Sequence, residues 1–177
     1  MKTLCIHPRD RTTDFLKLIY KDKKDWTIIN DPDISNEDLV AAIKAHDRII
    51  MMGHGLPGGL LNPKHFGYLI NSSHVPLLKT KQTVSIWCYS SDFFDDYGIH
   101  DGNLHTGMVI SEVGEALGVL GYCPFTEEEM LENMNLYAKT VGECIDLPFK
   151  EARKYFLEHY NGTDSVSRFN RATFTSR

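Results

Sequence analysis

The chain has 177 residues, enough for one domain with a substantial core and too few for two ordinary ones. Its apolar share of 42% and charged share of 24% match a globular protein and exclude disordered and fibrous classes. A formal charge of -5 gives no general attraction to phosphate backbones or anionic lipids, so neither a nucleic-acid partner nor a membrane is expected.

Lys2 leads at once into alternating strand-like residues, with no long apolar core of a signal peptide and no transmembrane run. A cytoplasmic location is the resulting expectation. Cys5, Cys88, Cys123 and Cys144 are scattered without a C-x-x-C pair, which favours free thiols over a disulfide framework or a zinc ribbon.

Leu4 and Ile6, alternating with Thr3 and Cys5, predict an opening strand that ends at Pro8 and the charged turn Arg9-Asp10-Arg11. Thr13 or Asp14 then caps a helix carrying Phe15, Leu16, Leu18 and Ile19. Trp26 to Ile29 predicts a second strand. Ser35 with Asp38 marks the start of a helix running to His46 through Leu39, Val40 and Ile43. Arg48 to Met52, apolar on both faces and closed by Gly53, has the character of an inner strand of a parallel sheet, as do Thr83–Trp87 and Met108–Ile110. Helices are expected over Glu112–Leu120, from the capping box Thr126/Glu129 through Val141, and over Phe149–Tyr160 behind Pro148. The tail from Asp164 to Arg177 has mixed polarity and predicts a surface segment anchored by Phe169 and Phe174.

This alternation predicts an α/β three-layer sandwich, with a mostly parallel central sheet flanked by helices. A single domain over 1–177 is expected, its core at about 2–121 and its helical C-terminal part at about 126–162.

In such sheets reactive groups gather at the carboxyl ends of the strands, where loops converge over a rigid platform. His54 stands there inside Gly53-His54-Gly55, and Cys88 stands there after Val84-Ser85-Ile86-Trp87. A thiolate is a nucleophile, and a nearby imidazole both takes its proton and returns it to a leaving amine.

The order of apolar strand, His-Gly, helix, apolar strand and Cys followed by small polar residues resembles the caspase-like cysteine peptidases. That superfamily includes caspases, gingipains, clostripain, separase and a bacterial caspase-like branch fused to repeats. The likeness covers roughly Lys2 to Gly121 and is supported by Leu60-Leu61-Asn62-Pro63, a short apolar segment after the His-Gly as in the repeat-associated branch. It implies His54 as general acid and base, Cys88 as nucleophile, and the N–H groups of Gly55 and Cys88 as oxyanion donors. The caspases' Gln-Ala-Cys-Arg-Gly is Ile86-Trp87-Cys88-Tyr89-Ser90 here, so the caspase pocket for aspartate is absent.

Asp92, Asp95 and Asp96, with Ser111 and Glu112 at the next strand end, are the candidate substrate contacts, and their charge favours a basic residue before the scissile bond. A peptide or protein substrate is expected, with no cofactor. The short chain, with no evident propeptide, leaves room for a regulatory partner protein. A non-catalytic caspase-like or flavodoxin-like binding domain is the second reading. The third is a metal-dependent hydrolase using His54, His65, Cys88, His100 and His105 with Asp92, Asp95, Asp96 and Asp101. No pair among them shows His-x-x-x-His or His-x-His spacing, so no metal is expected. His74, His100 and His105 are more simply surface-loop histidines.

Overall fold

The computed structural model describes residues 1–99 and 102–176. Its framework is a central sheet in which β1 (Thr3–Ile6) lies between β2 (Thr27–Ile29) and β3 (Arg48–Met52), all parallel. After β3 the chain makes a separate antiparallel sheet of three short strands, β4 (Gly55–Leu56), β5 (Gly59–Leu61) and β6 (Tyr68–Ile70). It then returns to the main sheet as β7 (Gln82–Ile86), parallel to β3, and β8 (Asn103–Thr106), parallel to β7. The last strand, β9 (Phe174–Ser176), closes the edge antiparallel to β8. Among the described residues the main sheet thus has the order β2-β1-β3-β7-β8-β9 and is mostly parallel.

The helices are α1 (Asn36–Ala45), α2 (Val75–Leu78), α3 (Ser90–Asp96), α4 (Val113–Leu120), α5 (Glu127–Cys144), α6 (Phe149–His159) and α7 (Ser165–Thr173). Short 3-10 helices cover Asp14–Ile19 and Ser72–His74. Ser35 caps α1 by accepting from the Asp38 amide, and Thr126 with Glu129 closes a capping box on α5.

Strand alternation divides the core between the two faces of the sheet. On one face Leu4, Ile6, Ile49 and Met51 pack with Leu39 and Ile43 of α1, Leu78 of α2, and Phe93 and Phe94 of α3. On the other, Cys5, Ile50, Met52, Val84 and Ile86 meet Leu16, Ile19, Met134, Tyr137, Val141 and Phe156. These side chains are almost wholly buried. Each large apolar one contributes about 1.5–3 kcal/mol relative to exposure, so the two layers dominate the stability of the fold.

Four expectations need correction. The segment from Asp14 to Ile19 winds as a 3-10 helix rather than an α-helix, and its N-cap Thr13 makes no side-chain capping bond, because the Thr13 hydroxyl is committed to Asp10 instead. Met108–Ile110 is not a strand. The strand is the more polar Asn103–Thr106, buried because Asn103 donates to Ile99 O, His105 stacks on Phe94 and Thr106 donates to Trp87 O. The helix after Pro148 is followed by α7 and β9, so the tail is built into the fold, with Val166, Asn170 and Phe174 buried. His74 and His105 are buried rather than surface groups, while His100 and Asp101 lie outside the described residues. No helix of the described residues is long and apolar enough to cross a membrane.

Candidate active site

The strand order reverses at β1 and β3: the chain leaves β1 for β2 on one side, and from β3 onward builds the sheet on the other. Loops at the carboxyl ends of such a pair part and leave a crevice. Here it is formed by residues 7–13 after β1 and by Gly53-His54 after β3.

Gly53 has a φ of 140°, open to glycine and costly for any side chain, and its N–H donates to Ile86 O at the end of β7. That bond fixes the turn that carries His54. The His54 carbonyl accepts from the Leu61 amide, so the three-stranded sheet holds the same turn from outside.

His54 Nε2 lies 2.6 Å from Thr12 Oγ1 and 3.3 Å from Asp10 Oδ2. The Thr12 hydroxyl donates its one proton to Asp10 Oδ1, 2.9 Å away, and therefore accepts from Nε2–H. This assigns the proton to Nε2 and leaves the Nδ1 lone pair as the basic site, the tautomer a thiol proton acceptor needs. Asp10 is fixed in turn by the Thr12 and Thr13 amides and the Thr13 hydroxyl. Burial alone would raise its carboxyl, but these bonds and the His54 charge outweigh it and hold Asp10 below the ordinary carboxylate value.

Cys88 sits in the turn between β7 and α3, half-buried. The next residue, Tyr89, occupies the left-handed region at φ 65°, which costs a non-glycine residue about 1–2 kcal/mol. The turn is clamped around it. Trp87 O accepts from the Ser90 amide and the Thr106 hydroxyl, while the buried Ser90 Oγ accepts from the Thr106 amide and donates to Thr106 O. Cys88 Sγ donates to Val109 O at 3.5 Å. Burial, with a smaller contribution from Glu115, pushes the thiol above its ordinary value, so the resting group is neutral.

His54, Cys88 and Ser111 line one small cavity of about 30 Å³, together with Gly53, Thr13, Phe15 and Tyr137. Beside it runs a groove of about 230 Å³ that shares Phe15 and Ser111, has the buried Met130 and Met134 on its floor, and carries Arg11, Glu112, Glu127 and the exposed Leu131. A more open depression of about 520 Å³ is lined by Arg9, Asp10, Arg11, Asp14 and Asn30 and shares Arg11 with the groove.

Of the residues singled out from sequence, His54, Cys88 and Ser111 thus come together, with Glu112 one step away in the groove. Gly55 lies outside the cavity lining, paired with Leu60 in β4 and β5 and packed against Trp87. Asp92 is exposed on the first turn of α3 and lines neither cavity nor groove. His65 is paired with Asp33 at the surface. Among the described residues, no group of three or more His, Cys, Asp or Glu side chains is arranged to hold a metal ion.

Asp10, Thr12 and Tyr137 were not anticipated. The signal for the first two was Asp-x-Thr-Thr directly after a strand, since such hydroxyls and carboxylates bond locally at turns. Tyr137 is indistinguishable in sequence from the rest of an apolar helix face. No protein-family model matches the chain, and no curated protein is significantly similar to it.

Proposed function

We propose that this protein is a caspase-like cysteine peptidase, a hydrolase that cleaves a peptide bond with His54 and Cys88. The observation that carries the reading is their convergence: two reactive groups from the ends of the adjacent paired strands β3 and β7 line one cavity.

In the reaction His54 Nδ1 takes the Cys88 proton as the sulfur attacks the scissile carbonyl carbon, and the carbonyl π pair moves to oxygen. The family resemblance implies the Cys88 and Gly55 N–H groups as oxyanion donors; of these two residues Cys88 lines the cavity and Gly55 does not. Collapse breaks the C–N bond, the amine leaves with the proton from His54, and a thioester remains. Water then adds, giving its proton to His54. The sulfur departs and recovers that proton, and a carboxylic acid is released. Asp10, through its own contact and through Thr12, stabilises the imidazolium formed in each half.

The 30 Å³ cavity is too small for a side chain, so the residue before the scissile bond belongs in the neighbouring groove. Methionines on its floor suit an aliphatic stem, and Glu112 and Glu127, which outweigh Arg11 among its charged lining residues, favour a basic head, which supports cleavage after Arg or Lys.

A second reading rests on the raised Cys88 thiol: a domain that binds peptide without cleaving it, or one activated when a partner protein shifts the cysteine toward His54. Iodoacetamide labelling with peptide mapping tests the first reading. Cys88 should react ahead of Cys5, Cys123 and Cys144, and His54→Ala should slow it about 100-fold, the low end of what general bases contribute. Labelling indifferent to His54 would favour the binding domain.

A further inference from the structure

Tyr137 carries a hydroxyl that the fold does not use. Its ring is fully buried, edge-on to Phe156 at 5.2 Å and to Tyr160 at 5.4 Å, so the aromatic packing would be complete with phenylalanine. The neighbouring Tyr160 hydroxyl donates to Asn133 Oδ1, whereas the Tyr137 hydroxyl has no hydrogen-bond partner among the described residues. Leaving such a group buried and unpaired costs on the order of 1–3 kcal/mol.

Tyr137 reaches from α5 to the cavity that His54 and Cys88 line. Trp87 also lines that cavity and also has a buried, unpaired donor, Nε1. Its indole, however, packs with Phe93 and Phe94 and against Gly55 on the opposite face of the sheet, and the Thr13 and Ser111 hydroxyls donate to Asp10 and Glu115, which leaves the phenol as the unpaired side-chain hydroxyl among the described residues of the lining.

We infer that the Tyr137 hydroxyl is a catalytic oxyanion donor, hydrogen-bonding the carbonyl oxygen of the group that Cys88 attacks. The inference rests on the peptidase reading and adds a residue to it. A cavity of about 30 Å³ admits an oxygen atom in place of about one water and little more. Burial, reinforced by Tyr160, Cys88 and Cys144, keeps the phenol protonated, so it remains a donor throughout the working pH range. As the thiol adds to an ester or amide, charge collects on that oxygen. A neutral donor already desolvated on a residue that lines the cavity strengthens at that moment with little reorganisation.

The experiment compares two reagents on wild-type protein, Tyr137→Phe and His54→Ala. Iodoacetamide alkylates a thiol through displacement of iodide and forms no oxyanion. p-Nitrophenyl acetate acylates it through one, releasing p-nitrophenolate and leaving an acetyl thioester at Cys88. Tyr137→Phe should keep iodoacetamide labelling of Cys88 within about twofold of wild type, while acetylation of Cys88, followed by peptide mass, should slow about 100-fold, as expected for loss of one oxyanion donor. Its thermal midpoint should equal or exceed that of wild type, because an unpaired buried hydroxyl has been removed.

Unchanged acetylation in Tyr137→Phe, with both reactions still dependent on His54, would overturn this inference and leave the dyad standing. Labelling independent of His54 would remove the dyad and this role with it. A Tyr137→Phe protein that loses stability or fails to fold would show the hydroxyl to be structural, and the inference would fall.

Discussion

Gly55 lies against the indole of Trp87 so closely that a Cβ on Gly55 would stand 2.0 Å from Trp87 Cδ1 and 2.4 Å from Cγ. The glycine after His54 is therefore demanded by packing, independent of any approach of substrate. Trp87 is itself packed in, buried against Phe93 and Phe94. Gly55→Ala should lower the unfolding free energy by about 1–3 kcal/mol, the usual cost of overpacking a filled core. Equilibrium urea denaturation measures it. Alanine at Gly114, where a Cβ meets nothing within 4 Å, is the control and should be neutral or slightly stabilising. Equal midpoints for the two variants would contradict the close contact.

Asp10 is the acid behind His54, and its removal should act through the imidazole. In Asp10→Asn the carboxylate charge beside Nε2 is gone, although the Thr12 hydroxyl still has an amide oxygen to bond. Cys88 alkylation at neutral pH should fall about tenfold, less than the roughly 10²–10⁴-fold that a positioned acid–base group contributes, because His54 itself remains. Thr12→Val, which deletes the acceptor for Nε2–H, should also slow it. The second variant separates tautomer control from charge. If Thr12→Val reacts at the wild-type rate while Asp10→Asn does not, direct contact with Asp10 is sufficient.

Two groups beside the site tie stability to acid. His7, buried at the end of β1 with Nδ1 on Tyr20, is pushed down from 6.5 to about 4, chiefly by burial and then by Arg9. The unfolded chain binds a proton at His7 below pH 6.5 and the folded one only near 4, so stability falls as pH drops across that window. The full loss is about 3 kcal/mol at 1.36 kcal/mol per pH unit. Asp10 acts lower. Its stabilisation is complete above the ordinary carboxylate value and is lost as pH falls through its depressed folded one. Urea midpoints between pH 7 and 4 should decline steadily in wild type and less in His7→Gln. Parallel declines would mean that His7 titrates normally in the fold.

The inner strands were legible because burial on both faces leaves an unbroken apolar run, as in Ile49 to Met52. The capped helices α1 and α5 were legible because Ser35 and Thr126 stand three residues before an acid. β8 was not, since Asn103, His105 and Thr106 look exposed until tertiary contacts with Ile99, Phe94 and Trp87 bury them, while the apolar Met108–Ile110 mimics a strand. His54 and Cys88 could be marked by their place after such strands. Asp10 and Thr12 left only the turn signal Asp-x-Thr-Thr, which does not say what the turn faces, and Tyr137 left none, because its place beside the β3 and β7 ends is a tertiary relationship without a local trace in the sequence.

The C-terminal segment supports the thiol through one side chain. Asn170 Oδ1 accepts from the Ile110 amide at 2.7 Å and its Nδ2 donates to Ile110 O at 2.8 Å, satisfying a buried stretch of chain that belongs to no strand. The preceding carbonyl, Val109 O, is the acceptor for Cys88 Sγ. Asn170→Ala leaves both Ile110 groups unpaired, which should cost about 2–6 kcal/mol, since each buried orphan costs about 1–3. The Val109 carbonyl should then lose its fixed position. Asn170→Asp keeps the acceptor for the Ile110 amide but faces Ile110 O with a carboxylate, so it should destabilise as well. Hydrogen exchange at the Ile110 amide and the rate of Cys88 alkylation are the readouts. Both should rise in Asn170→Ala at temperatures well below its unfolding midpoint, because the thiol is released from its resting acceptor before the fold is lost. An Ile110 amide as protected as in wild type would mean that the loop is held by its apolar packing alone, and the link between the tail and Cys88 would be broken.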